Sequence, residues 1–246
     1  MASHALDRRA QLRGSTILIW VARLREAGIL IFLLALIALI SLRSSRFLTT
    51  GNVRDIFLDI AILATLAVGE TMVILARQID LSVGANLGVT VMIIAQILKA
   101  HNGMPLAVAV LICLAIGAGL GACNGALITL GRVPAIIATL GTLNIFHGIQ
   151  SIASGGGEVV TEDLPSGYLN LAGGNAFSIA LPAGVRFSIP WLVLFPLVIA
   201  VIAAFFLRST RTGRQIYAVG SNPLAARLAG VRVNWVIFMV FVISGA

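Results

Sequence analysis

The hydrophobic positions of this chain fall into long, uninterrupted runs. They cover about 27–42, 56–76, 83–98, 105–130, 133–153 and 189–207. A bilayer core of about 30 Å needs about 20 apolar residues per helical crossing, so each run predicts a spanning α-helix. A membrane barrel would need alternating polarity, which AGILIFLLALIALI (27–40) lacks. The pattern therefore predicts an all-α, polytopic transmembrane helix bundle.

The two ends of the chain differ from this pattern. Residues 1–26 are basic and mix apolar with charged positions, which predicts a cytoplasmic or interfacial segment before a transmembrane domain over 27–246. A seventh apolar run begins at Trp235, and the sequence stops at Ala246, about half a crossing later. We therefore expect a bundle of about six full spans plus the start of a seventh, truncated at its C-terminus.

Composition supports a membrane protein. Hydrophobic residues make up 59% of the chain and charged residues 11%, which excludes an ordinary soluble domain. The net charge of +8 comes from basic residues between apolar runs, so we expect no nucleic-acid partner. With the N-terminus inside, only Arg43, Arg46, Arg54, Lys99 and Arg186 fall on the outer side. The remaining basic residues satisfy the positive-inside rule.

A short polar stretch, GRQIYAVGSNPLAARLAG (213–230), separates two apolar runs. Ser221 or Asn222 can cap a helix, Pro223 suits its first turn, and Gly230 suits the left-handed residue at its end. The predicted helix has about two turns, so it must pack against something to be stable. It either turns the chain between spans or docks a cytoplasmic partner, and the residues alone favour neither.

Four motifs occur together: IDLSVG (79–84), NGALITLGRVPAIIATLGTL (124–143), SGGGEV (154–159) and GRQIYAVGSNPLAARLAGV (213–231). In order and spacing they resemble the ribose-type sugar permeases, the membrane subunits of bacterial ATP-binding-cassette (ABC) importers. Members commonly have two glycines before IDLSVG, whereas this chain has Arg77 and Gln78. A polar residue there resembles the branch associated with rhamnose and autoinducer-2.

The resemblance implies an ABC importer permease in the bacterial inner membrane, with no catalytic residue, metal or cofactor of its own. The sugar would be ribose, rhamnose or a related ligand. The implied partners are a cytoplasmic ATP-binding subunit, a periplasmic sugar-binding protein, a second permease subunit in a homo- or heterodimer, and membrane lipid. The coupling loop would cover 208–234, with ATPase-coupling residues Gly213, Arg214, Tyr217, Gly220, Asn222, Pro223, Ala225, Ala226, Arg227 and Gly230.

Polar residues inside the apolar runs are candidates for the translocation path: Asp80, Ser82, Asn144, His147 and Gln150. A charged Asp80 facing lipid would cost about 2.5–3.5 kcal/mol, so we expect it near water, a partner or the bundle interior. Alternatively, Asp80 and Ser82 cap the next helix in a buried bend. The other three recur every third residue, and they either bond to neighbouring helices or line a pore for a neutral polyol.

Three further features bear on class and packing. Gly117, Gly121 and Gly125 have the four-residue spacing that lets membrane helices approach closely. Glu70 either caps a break at Gly69 or reaches an interior polar group. The sequence lacks a P-loop, so an ATPase would be a separate subunit.

Two other classes of protein share some of these features. An ion-coupled secondary transporter would also have polar groups near the bilayer midplane. An intramembrane hydrolase would need a nucleophile and a base, and Ser154 and His147 lack the G-x-S-x-G context. The sequence favours the importer permease.

Overall fold

A computed structural model describes residues 27–157, 159–160, 164–180 and 186–246. The predicted interfacial segment 1–26 lies outside these residues. The described residues divide into two compact units, one ending at Val53 and one beginning at Arg54, and each is described by itself.

The described residues are mostly helical. Their elements, in chain order, are α1 (Ala27–Arg43), α2 (Thr50–Leu75), α3 (Val83–Ala100), α4 (Leu106–Thr129), α5 (Ala135–Ser154), α6 (Ser166–Gly173), β1 (Asn175–Ala180), β2 (Arg186–Pro190), α7 (Trp191–Ser209), α8 (Arg211–Ser221), α9 (Pro223–Leu228) and α10 (Val233–Gly245). The strands β1 and β2 pair in antiparallel fashion. The hydrophobic runs did not predict this hairpin, because its strands are only six and five residues long.

Among the described residues, five helices are long and apolar enough to cross a membrane: α2, α3, α4, α5 and α7. They match five of the predicted runs to within a few residues at most boundaries. The helices α1 and α10 are apolar but shorter. The predicted all-α, polytopic fold is confirmed.

In the first unit, α1 exposes almost all of its apolar side chains. Thr49 starts the next helix, because its hydroxyl accepts a hydrogen bond from the backbone N–H of Asn52 at 3.4 Å. The exposed apolar surface of α1 is the kind that a lipid tail or another membrane helix covers.

In the second unit, α10 packs along the small-residue face of α4. A side chain at Gly121 would collide with the carbonyl oxygen of Phe241, and one at Gly117 with that of Gly245. The backbones therefore approach at a distance that only glycine allows. The predicted packing role of the four-residue glycine spacing is confirmed.

This contact predicts a position-specific effect of added volume. Gly121→Ala should lower the free energy of unfolding by about 1–3 kcal/mol, because the new methyl group forces the two helices apart. Gly119→Ala is the matched control, since nothing lies within 4 Å of a side chain there. Thermal unfolding of both variants in detergent checks the prediction, and equal melting temperatures would contradict it.

The helices of the second unit begin and end at two opposite ends of the bundle. At one end, Ala76 of the α2 terminus and Leu207 of α7 share a buried cluster with Ile216 of α8, Ala226 of α9 and Val233 of α10. We call this the α8–α9 end. At the other end, a guanidinium nitrogen of Arg54 donates to the carbonyl of Gly173 at 2.9 Å. The Tyr168 hydroxyl likewise donates to the carbonyl of Met104 at 2.8 Å.

Basic residues are concentrated at the α8–α9 end. By their positions in the chain, this end carries Arg77, Arg132, Arg208, Arg211, Arg214, Arg227 and Arg232. The opposite end of the second unit carries Arg54, Lys99 and Arg186. Under the positive-inside rule, this asymmetry favours the predicted orientation, with α8 and α9 in the cytoplasm.

Candidate functional site

The helix α8 is held against the bundle by one apolar stripe. Thr210 caps it, because the threonine hydroxyl accepts a hydrogen bond from the N–H of Gly213 at 3.0 Å. Gly213, Ile216 and Val219 recur at three-residue spacing, and all are buried. The stripe faces the cluster formed by the ends of α2, α7 and α10. Packing therefore fixes the position of α8.

Two glycines bring α8 into direct contact with other backbones. A side chain at Gly213 would collide with the carbonyl oxygens of Phe206 and Leu207, at the end of α7. A side chain at Gly220 would collide with the carbonyl of Leu75, the last residue of α2. Thus α8 rests on the ends of two long helices with no side chain between.

The helix α9 has the start and end that its sequence predicts. The side-chain oxygen of Asn222 accepts hydrogen bonds from the N–H groups of Leu224 and Ala225, both at 3.0 Å. Pro223 occupies the first turn. At the far end, Gly230 has a φ of +82°, the left-handed conformation that glycine adopts readily. These signals are confirmed, with Asn222 rather than Ser221 as the cap.

The sequence predicted α9 but not the helix before it. The structure has α8, of 11 residues, immediately before α9, of six. Gly213 and Gly220 weaken the intrinsic helix propensity of α8. Burial of Ile216 and Val219 against the bundle compensates for this, and that contact is not visible in the local sequence.

The predicted coupling residues divide by exposure. Gly213 and Ala226 are buried, and Gly220 and Pro223 are half-buried. The others are exposed: Arg214, Tyr217, Asn222, Ala225, Arg227 and Gly230.

Two leucines lie exposed beside these residues, Leu224 at 67% and Leu228 at 83%, and the ring of Tyr217 is 46% exposed. We call Arg214, Tyr217, Leu224, Arg227 and Leu228 the α8–α9 outer surface. It combines apolar side chains with two arginines at the basic end of the unit.

The segment between α2 and α3 turns back into the bundle. After Leu75, the N–H of Gln78 donates to the carbonyl of Val73 at 3.0 Å. The N–H of Asp80 then donates to a carboxylate oxygen of Glu70 at 3.2 Å. Glu70 precedes the end of α2 by five residues, more than one helical turn, so the segment returns alongside the last turns of α2. We call residues 76–82 the re-entrant bend.

A continuous chain of hydrogen bonds fixes this bend to two helices. Oδ1 of Asp80 accepts from the N–H and the hydroxyl of Ser82, at 2.8 and 2.7 Å. Nδ2 of Asn124, on α4, donates to the Ser82 hydroxyl at 2.7 Å. The hydroxyl of Thr142, on α5, donates to Oδ1 of Asn124 at 2.7 Å. We call these four buried residues the polar chain.

The polar chain resolves two alternatives left open by the sequence. Asp80 is 6% exposed and faces the bundle interior, where it holds a buried bend. Ser82 precedes α3, but its hydroxyl bonds to Asp80 rather than to an N–H of the helix. Glu70 accepts a hydrogen bond from the backbone N–H of Asp80, which is the second of its two predicted roles, contact with an interior polar group. Each of the four side chains of the polar chain therefore has a hydrogen-bond partner. Among the described residues, the second carboxylate oxygen of Glu70 is buried without one.

The other three path candidates lie elsewhere. Asn144 is exposed and donates to the carbonyl of Leu140 in its own helix at 3.0 Å, and His147 is also exposed. Gln150 is half-buried beside Gly88. Two residues along a helix rotate the side chain by about 200°, so Asn144 lies opposite Thr142. The five path candidates therefore do not form one site within this chain.

Asn124 was not singled out as a functional residue. It is fully buried, and it is the only link between Ser82 and Thr142 in the hydrogen bonds of the described residues. The available signal was an amide side chain within the apolar run of α4, where an unpaired amide would be costly.

The hydroxyl of Ser154, considered above as a nucleophile, is engaged locally. It donates to the carbonyl of Ser151 at 2.8 Å and accepts from the N–H of Gly156 at 3.1 Å. His147 lies seven positions earlier on α5, about 10 Å along the helix axis. The geometry does not pair these two residues for catalysis.

The fold and this site define a multi-pass α-helical membrane protein with a re-entrant bend and a helix pair at its basic end. Residues 52–246 match the family model described as branched-chain amino acid transport system / permease component. The chain belongs to this permease family.

Several relatives indicate which permeases of this family the chain is similar to. The chain is 36% identical over 221 residues to the autoinducer 2 import system permease protein of Salmonella typhi, covering 90% of this chain and 60% of that protein. It is 38% identical to the same permease of Enterobacter sp. (strain 638), with the same coverage. It is 38% identical over 224 residues to the ribose import permease protein of Escherichia coli (strain K12), covering 91% and 67%.

These matches confirm the family resemblance of the motifs, and with it a multi-pass protein of the bacterial inner membrane. The chain spans about 60% of the length of the autoinducer 2 permeases it matches. No solved structure was found to match it.

Proposed function

We propose that this chain forms part of the membrane path of an ATP-driven importer for a small sugar or sugar-like ligand. A separate ATP-binding subunit docks on the α8–α9 outer surface. The observation that carries the proposal is the α8–α9 pair itself. It is packed against the helix ends on one side, and it exposes Tyr217, Leu224 and Leu228 on the other.

The location of this surface supports a protein partner. Exposed leucines elsewhere on the spanning helices are suited to lipid, but α8 and α9 lie at the basic end, which we assign to the aqueous cytoplasm. Tyrosine and arginine are enriched in protein interfaces, and both occur here. A partner that binds the two conformations of the permease unequally can shift it between them.

The ligand class follows from the relatives and from α5. The relatives are named for ribose and autoinducer 2 import, so we propose a ligand with several hydroxyl groups. Asn144 and His147 offer donors and acceptors on an exposed face of a spanning helix. In the complex, this face would border the path, opposite a second permease subunit. A periplasmic sugar-binding protein would deliver the ligand at the opposite end of the bundle.

Reconstitution tests the energy source. The full-length permease is reconstituted in proteoliposomes together with its ATP-binding subunit and its sugar-binding protein. The proteoliposomes are then supplied with radiolabelled ribose or with autoinducer 2. We expect uptake of one of these two ligands to require ATP on the side of the vesicle membrane where α8 and α9 lie. Uptake that follows a proton or sodium gradient without ATP would overturn the proposal in favour of a secondary transporter.

A substitution in the outer surface tests docking. Leu224→Ser combined with Leu228→Ser should weaken binding of the ATP-binding subunit by at least about tenfold, because each buried leucine contributes about 1.5–3 kcal/mol. Leu106→Ser is the control, since Leu106 is also exposed but lies at the opposite end. The dissociation constant of the detergent-purified permease is measured for each variant. Equal affinity of the double variant and the control would contradict the assignment.

A further inference from the structure

We propose that the re-entrant bend transmits movement of α8 to α5, and that Asn124 and Thr142 are positioning residues for import because they complete this link. The inference rests on the proposed function, in which α8 and α9 receive the ATP-binding subunit.

The cytoplasmic side of the link is a backbone contact. Gly220 of α8 lies directly on the carbonyl of Leu75, and the re-entrant bend begins at the next residue. Ala76 is buried in one cluster with Ile216 and Val219 of α8. No flexible side chain separates Gly220 from the end of α2, so a displacement of α8 must displace the start of the bend.

The interior side of the link is the polar chain. From Ser82, two successive hydrogen bonds of 2.7 Å lead through Asn124 to Thr142 on α5. All three side chains are buried, so water does not replace a bond that stretches. Besides this chain, the Thr139 hydroxyl of α5 makes a longer contact of 3.5 Å with the carbonyl of Ile79 in the bend. The shorter bonds of the polar chain are either formed or broken, as in an element with two discrete arrangements.

The helix α5 has two functional sides. Thr142 faces the polar chain, while Asn144 and His147 face outward on the surface that we assign to the path. A rotation or shift of α5 that follows the bend would reorient these two polar side chains. The link thus runs from a docking surface to ligand-facing groups through named contacts.

The bend is suited to movement because it is not helical. Arg77 has a φ of 63°, a left-handed conformation that favours glycine, and α3 begins only at Val83. Irregular backbone at membrane depth is tolerated where protein buries it. Here, its amides bond to Val73 and to Glu70 of the preceding helix.

Conservative threonine variants test the link. Thr142→Val removes the hydrogen bond to Asn124 while keeping the shape of the side chain, and Thr142→Ser keeps the hydroxyl. Thr129→Val is the matched control, because the buried Thr129 hydroxyl donates only to Gly125 of its own helix. The readout is the number of ATP molecules hydrolysed per ribose or autoinducer 2 molecule imported by the reconstituted complex.

We expect Thr142→Val to raise this ratio about fivefold or more, the lower range of typical coupling between sites, while Thr142→Ser and Thr129→Val leave it near the unmodified value. A purely structural role would lower hydrolysis and import in parallel and leave the ratio unchanged. That result would overturn the inference.

A second variant guards against misfolding. Ser82→Ala breaks the same link from the bend, and it should raise the ratio in the same direction. If both Thr142→Val and Ser82→Ala prevent assembly of the complex, the polar chain is structural and the inference is overturned. If the unmodified complex imports neither ligand with ATP, the proposed function fails and the inference falls with it. If the unmodified complex imports the ligand normally and both variants leave the ratio unchanged, the inference is overturned but the proposed function stands.

Discussion

Gly220→Ala is expected to reduce ATP-dependent uptake by more than about tenfold, although the permease still folds. A tenfold lower rate requires a rise of only about 1.4 kcal/mol in the activation free energy. The added methyl group would occupy the space of the Leu75 carbonyl oxygen, so α8 must move away from the end of α2. Uptake of ribose or autoinducer 2 by the reconstituted complex measures the effect.

The direction of this effect distinguishes packing from helix propensity. Glycine in a helix costs about 1 kcal/mol relative to alanine, so Gly220→Ala would stabilise α8 if the helix made no close contact. Ser221→Ala is the control, because it introduces the same residue at a neighbouring exposed position. Uptake by Gly220→Ala equal to that of Ser221→Ala would show that the contact between α8 and α2 does not matter for transport.

The start and end of α9 were predictable because they depend on local chemistry. The capping side chain, the proline and the left-handed glycine all lie within nine residues, Asn222–Gly230. Each acts on backbone groups of its immediate neighbours. The glycine face of α4 was predictable for a related reason, since close helix approach needs small residues at a fixed spacing.

The helix α8 and the polar chain depend on distant contacts. Ile216 is buried because the ends of α2, α7 and α10 meet there, and these come from separate parts of the sequence. Asn124 and Thr142 are 18 positions apart, and Asn124 and Ser82 are 42. Periodicity places each residue on a helix, but it does not determine which neighbouring helix that face meets.

The path candidates on α5 show the same limit. Their three-residue spacing correctly places Asn144 and His147 on neighbouring parts of one helix. It does not determine whether that side is buried, because Thr142, only two positions away, faces the interior instead. The two faces of α5 therefore differ: the interior face bonds to the polar chain, and the exposed face is the one that we propose for the ligand and a second subunit.

Asp80→Ala should reduce both stability and transport, because Asp80 is the acceptor that closes the re-entrant bend. Its loss leaves the buried N–H of Ser82 without its acceptor, which costs about 1–3 kcal/mol. It also frees the Ser82 hydroxyl, so the polar chain loses its anchor in the bend. We expect ATP-dependent uptake to fall by at least about tenfold, with a lower melting temperature of the purified permease.

Asp80→Asn separates hydrogen bonding from charge. Asparagine keeps an oxygen at the position of Oδ1, so it can still accept from the N–H and the hydroxyl of Ser82. If the carboxylate acts as an acceptor that anchors the bend, Asp80→Asn retains most of the stability and uptake that Asp80→Ala loses. Asp55→Ala is the control for removal of an exposed carboxylate. Equal loss in Asp80→Asn and Asp80→Ala would show that the negative charge itself is required, and that the bend is not held by hydrogen bonds alone.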